Sequence, residues 1–275
     1  MSSRELSDWQ RQLIHVSGFA SVITILVGTG QKKGTFVLHE HLLRKSSTFF
    51  DNALKGEWKE ANEKVVRIPE TSSESFAIYV RFIFTGFLFI RTYDQPHTNN
   101  QDSSKETVFG CATMDECLIA LKLADFLQAL DFRDAILDAM MEVIAEIRVV
   151  SGYRFSFTET ALRIIYDHSA VNSPMRSFTA NLCLHAWGCE SYATYAFAEY
   201  PLPFFSDLLK AAGPFLTSDK KAWEMSDPID PANSCKYHEH TMRGEPCYKA
   251  KYQYITTKMD TTGKHIILKD STRLD

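Results

Sequence analysis

The stretch from Phe36 to Phe50, Phe-Val-Leu-His-Glu-His-Leu-Leu-Arg-Lys-Ser-Ser-Thr-Phe-Phe, constrains the fold more than any other part of the chain. It follows a β-branched run, Val22 to Val27, that ends in the turn signal Gly28-Thr29-Gly30. Phe36-Val37-Leu38 then reads as the second strand of a hairpin whose polar tip runs from Gly28 to Gly34. The glycines of that tip lack the Lys-Ser/Thr ending of a phosphate loop, and no helix begins directly behind them, so they serve the turn. At His39 the pattern changes to that of a helix. Leu42 and Leu43 face inward, and Ser46-Ser47 supplies a break and a new N-cap. Phe49, Phe50, Ala53 and Leu54 give the apolar face of a second helix that ends near Gly56. Val65 to Ile68 is a third strand, stopped by Pro69. Thr71 to Glu74 fits a capping box ahead of a helix over 74–84, which Thr85-Gly86 closes. The expected fold class is α+β: a small mixed sheet flanked by helices.

This ordered set resembles the BTB/POZ domain. The family pattern places Phe, His, Leu-Leu, Ser and Phe as Phe36, His39, Leu42, Leu43, Ser46, Phe49 and Phe50 stand here, then a strand, an aromatic helix and a Thr-Gly close at Gly86. The resemblance implies an interaction fold with no catalytic centre, homodimerisation through the domain, and function carried on surfaces. It also implies that His39 packs and hydrogen-bonds at a helix start. Members that recruit a cullin of a ubiquitin ligase carry a hydrophobic-x-Glu motif after the third helix. The matching position holds Trp58-Lys59-Glu60, preceded by Glu57. Trp58 is a binding anchor if exposed, because tryptophan buries a large area with few rotamers, and Glu60 would accept a charge-assisted bond. The alternative is that Trp58 folds back onto the core. The repressor branch of the family often carries an Asp in the first strand region, where Ser21-Val22-Ile23 stands here.

The expected organisation is an N-terminal helix over 1–19, a BTB/POZ domain over 20–130 (core motif 20–93, flexible polar insertion 94–113), a helical BACK-like extension over 131–222 and a Cys/His tail over 223–275. Leu6, Trp9, Leu13 and Val16 recur at helical spacing, suited to packing on the core or to a dimer contact. Helices are expected over 131–147, 157–169, 176–190 and 203–212, punctuated by Gly152, Pro174, Pro201, Pro203 and Pro214. In the tail, Tyr248, Ala250, Tyr252 and Tyr254 alternate with Lys249, Lys251 and Gln253, the period of a half-buried strand that 264–269 would pair with.

The tail also holds the strongest chemical cluster, Cys235-x2-His238-x-His240-x6-Cys247. Two thiolates and two imidazoles suffice to close a tetrahedral structural zinc site. His238 and His240 share a side if the stretch is extended, and Gly244 permits a tight return to Cys247. The spacing matches no common zinc finger. The competing reading is a polar loop with cysteines packed as small hydrophobes. A tail of this form also resembles that of fungal BTB proteins.

Composition closes off other classes. A net charge of −4 gives no reason to expect nucleic acid, and residues 223–275 balance eight basic against eight acidic side chains. No apolar run reaches the about 20 residues of a membrane span. The start of the chain, Met1 to Trp9, lacks an apolar signal core. An intracellular protein of cytoplasm or nucleus with reduced thiols is expected. Cys111, Cys117, Cys183 and Cys189 fall in apolar helical patterns and read as core. No nucleophile elbow, acid pair or phosphate loop stands out, so no enzyme is expected. The function expected is protein binding: self-association and recruitment of a protein partner as a cullin–ligase substrate adaptor, with a transcription or chromatin scaffold as the alternative.

Overall fold

A computed structural model describes residues 21–30, 33–92, 107–109, 112–151, 154–187, 200–216, 227–252 and 268–269. The helix expected before residue 20 and most of the expected polar insertion lie outside these residues, as do Cys111 and Cys189.

The chain opens with strands β1 (Val22–Val27) and β2 (Gly34–His39), then helices α1 (Glu40–Ser46), α2 (Thr48–Ala53) and α3 (Lys59–Glu63). Strand β3 (Val65–Ile68) and helix α4 (Ser73–Thr85) follow, then the short strands β4 (Arg91–Thr92) and β5 (Thr107–Phe109). Next come α5 (Ala112–Leu127), α6 (Leu130–Ser151), β6 (Arg154–Ser156), α7 (Glu159–Asp167), α8 (Pro174–Ala186) and α9 (Leu202–Leu216). A 3-10 helix over Pro231–Tyr237, helices α10 (Glu239–Arg243) and α11 (Tyr248–Lys251), and strand β7 (Leu268–Lys269) complete the described elements. No helix among the described residues is long and apolar enough to cross a membrane.

Two compact units form. The first gathers Met1–Phe89, Leu123–Arg133 and Pro246–Ile266. Its sheet runs β2-β1-β3, with β1 antiparallel to β2 from Val22↔His39 to Val27↔Gly34 and parallel to β3 from Thr24↔Val65 to Val27↔Ile68. The period of two in the sequence does its work here: Ile23, Ile25 and Val27 are all fully buried. Ser47 caps α2 by accepting the Phe50 amide, and its hydroxyl donates to the Leu127 carbonyl at 2.6 Å. Leu43, Phe50, Phe76, Tyr79 and Phe82 fill the core around them. The N-cap of α4 is Ser72 rather than Thr71, because the Thr71 amide is already turned back onto the Ile68 carbonyl. The helix closes at Gly86, whose φ of 75° is the left-handed conformation glycine adopts without strain.

In this first unit Tyr248 opens the short helix α11 and Tyr252 is its C-cap, while Tyr254 lies outside the described residues. Tyr248 and Tyr252 stand one turn apart and both rings pack on Phe82, at 5.9 and 5.7 Å between centroids. This replaces the expected tail strand. The 268–269 segment pairs instead with Arg91–Thr92.

The second unit gathers Ile90–Lys122, Asp134–Glu245 and Ile267–Asp275. Its core includes Cys117, Ile136, Met140, Ile144, Phe155, Phe157, Ile165, Phe178, Cys183 and Phe204. Helices stand near the expected places, except that the one expected over 176–190 ends at Ala186, with Trp187 extended; Pro174 sits at the first turn of α8, where its missing N–H costs nothing. Thr107–Phe109, inside the stretch read as an insertion, is instead a strand parallel to Arg154–Ser156. Burial pushes the Cys183 thiol up to about 12, so this cysteine is core, as is Cys117.

Candidate functional site

Among the described residues, the sequence singled out two places for function: the turn before α3 and the Cys/His segment.

Trp58 is the N-cap residue of α3 and is 67% exposed. The alternative in which its ring folds back onto the core is thereby excluded. The turn beneath it is held locally: the Asn62 amide donates to the Trp58 carbonyl at 3.1 Å and the Asn62 side chain to the Glu57 carbonyl at 3.1 Å. Glu57 is exposed and Glu60 partly so. The indole therefore stands on a tied turn, beside an exposed and a half-buried carboxylate, without contributing to the core. His39 ends β2 and stands at the N-cap position of α1, where its side chain makes no capping hydrogen bond.

The Cys/His segment is compact. One ligand atom each from Cys235, His238, His240 and Cys247 lie within 4.8 Å of one another, so the four side chains form a cluster that could hold a metal ion. The backbone is not extended as the sequence suggested. Cys235 lies in the 3-10 helix, His238 at the N-cap position of α10 and His240 in its first turn, and the rings of His238 and His240 meet edge to face at 5.3 Å. Gly244, at φ 66°, makes the expected return towards Cys247, which caps α11.

Sequence reading missed the groups behind the cluster. His238 is fully buried, and its Nε2 lies 3.1 Å from Oδ1 of Asp138, itself 4% exposed. One turn earlier on α6, Asp134 accepts the Glu239 amide at 2.7 Å and the His240 amide at 3.5 Å. Burial pushes the Asp134 carboxyl up to about 7, against the pull of His238 and of the two amides. His240 Nδ1 lies 3.2 Å from the Glu245 carbonyl oxygen. A signal existed: Asp134 and Asp138 interrupt an otherwise apolar run, Ala135-Ile136-Leu137 and Ala139-Met140, and buried aspartates need partners.

The sheet, the helices around it and the Thr-Gly close now stand together. Residues 17–103 match the BTB/POZ domain family. No curated protein matches the chain. The BTB domain is a protein-interaction module, and self-association goes with it. The matched span contains Phe36, His39, Leu42, Leu43, Ser46, Phe49, Phe50 and Gly86, as well as Trp58 and Glu60. In the BTB domain Phe36 and Phe76 meet edge to face at 4.9 Å, and Phe50 stacks near Tyr79 at 6.4 Å. Ser46 and Tyr79 share a hydroxyl–hydroxyl bond of 2.6 Å. Phe36, Ser46 and Phe50 thus all meet helix α4, through Phe76 and Tyr79.

Proposed function

We propose that this protein is an adaptor that self-associates through its BTB domain and recruits a cullin of a ubiquitin ligase through the Glu57–Trp58–Glu60 edge. The observation that supports it is the exposure of Trp58, at 67%, on a turn tied by Asn62. A tryptophan side chain buries about 150–250 Å² when covered, enough to act as a hot spot worth at least about 2 kcal/mol. Calorimetry of the full chain against the N-terminal domain of a BTB-linked cullin tests this. Sub-micromolar binding is expected, with Trp58→Ala plus Glu60→Ala weakening it at least about 30-fold and leaving the melting temperature unchanged. A folded protein that binds no cullin would leave a scaffold or a regulator of transcription.

We also propose that Cys235, His238, His240 and Cys247 hold a structural zinc ion. The donor set fits: zinc takes thiolate at about 2.3 Å and imidazole at about 2.0 Å, so tetrahedral ligands stand about 3.3–3.8 Å apart. A set already within 4.8 Å closes by shifts of about an ångström. Bound there, the ion would supply cross-linking of the segment, since four protein ligands complete its shell.

A further inference from the structure

The zinc reading treats the two histidines alike, yet their surroundings differ in a way that decides how each would bind. A ring nitrogen facing a carboxylate or a carbonyl must carry the proton, because those oxygens only accept. His238 faces Asp138 Oδ1 with Nε2 at 3.1 Å, so its proton sits on Nε2 and its lone pair on Nδ1. His240 faces the Glu245 carbonyl with Nδ1 at 3.2 Å, so its proton sits on Nδ1 and its lone pair on Nε2. The two tautomers are opposite. Metal-binding histidines characteristically donate their second N–H to a carboxylate or a backbone carbonyl, which sets the ring and strengthens the ligand. Both kinds of partner are present here, one for each ring.

Asp134 adds a backbone restraint. Its carboxylate takes the amides of Glu239 and His240, the residues that carry the chain from one candidate ligand to the next. Asp134 and Asp138 are one helical turn apart and so lie on one face of α6. Both are nearly fully buried, at 1% and 4% exposure. Two buried carboxylates cost stability unless a fixed set of donors meets them, and the donors that meet these two include the His238 ring and the Glu239 and His240 amides.

We propose that Asp138, Asp134 and the Glu245 carbonyl are the outer shell of the metal centre, so that His238 binds through Nδ1 and His240 through Nε2. This rests on the zinc reading of the same four ligands and adds the atoms that bind and the residues that aim them. Asp138 is a positioning residue: it acts through His238. Zinc affinity of the C-terminal segment is then set in part by a helix whose residues lie about a hundred positions upstream.

The test uses the full chain, loaded with zinc after purification and labelled with 15N-histidine. Elemental analysis should give one zinc per chain, lost in Cys235→Ser. Ring-nitrogen spectra should show metal on Nδ1 of His238 and on Nε2 of His240. Competition with a chromophoric chelator should show Asp138→Ala weakening zinc about 10–100-fold. Asp138→Asn keeps an oxygen that can accept from Nε2, so it should weaken zinc less. Zinc held by both histidines through Nε2, or zinc affinity unchanged in both Asp138 variants, would overturn the outer shell while leaving the zinc reading intact. A wild-type chain without zinc, or a Cys235→Ser variant that keeps it, would remove the zinc reading and this inference together. If Asp138→Ala fails to fold, the wild-type spectra and Asp138→Asn still decide.

Discussion

Gly86 meets two demands at once. Its φ of 75° costs any other residue about 1–2 kcal/mol, and a Cβ placed on it would fall on the Tyr252 ring. Gly56 has a similar φ, 67°, with open space around it. Gly86→Ala should therefore lower the melting temperature clearly more than Gly56→Ala, and equal losses would mean that Tyr252 does not rest there. Glu40 and Asp51 carry a pH prediction. Burial alone would raise the Glu40 carboxyl, but the Ser21 hydroxyl, Lys64 and Arg44 outweigh it and hold the group below the usual range. Lys55 and Arg44 hold Asp51 down likewise. A lowered folded pKa gives stability that is present above the unfolded value and lost as pH falls through the folded one. Melting temperature should thus drop on acidification below the ordinary carboxylate range, with a shallower drop in Glu40→Gln. At this scale the motif residues were legible because each is forced by one local requirement: Ser47 by a cap, Gly86 by a positive φ, Phe50 by a helix face. Asp138 was not, since an aspartate in a helix normally faces water and its partner, His238, is a hundred residues away.

Among the elements, those with a long enough period announced themselves. Strand β1 shows Ile23, Ile25 and Val27 on one face, and β3 was bounded by Pro69 as read. Helix α11 did not. It is four residues long, too short for a 3.6 period to outvote the alternation of Tyr248, Ala250 and Tyr252. What makes it a helix is tertiary: Tyr248 and Tyr252, both buried, must reach the same ring, Phe82. Its ion pair is the smaller contributor. Lys251 meets both oxygens of Asp131 at 2.8 Å but remains 31% exposed, and such pairs are worth about 0.2–1 kcal/mol. Removing a buried aromatic ring costs about 3 kcal/mol or more. In chemical denaturation, Tyr252→Ala should accordingly destabilise several-fold more than Lys251→Ala. The reverse order would assign the docking of α11 to charge.

On the scale of the molecule, the unit that contains most of the BTB domain is assembled from three separate stretches of chain. Residues 17–103 carry the family pattern, but Phe132 packs on Tyr79 and Phe82 at 5.3 Å, and the C-terminal tyrosines cover Phe82. A fragment of residues 17–103 should therefore bind a hydrophobic dye and lack a cooperative melt, whereas the full chain melts cooperatively. A fragment that melts as sharply as the parent would show the later stretches to be dispensable. This discontinuity has a bearing on how the protein is made. Translation at about 5–20 residues per second puts about 7–30 s between residue 103 and residue 252 leaving the ribosome. For that interval Phe82 lacks the cover of Tyr248 and Tyr252, and the nascent domain is a client for chaperones. A premature stop codon just before Tyr248 would leave every motif of the interaction domain intact in the message and the domain itself unfinished.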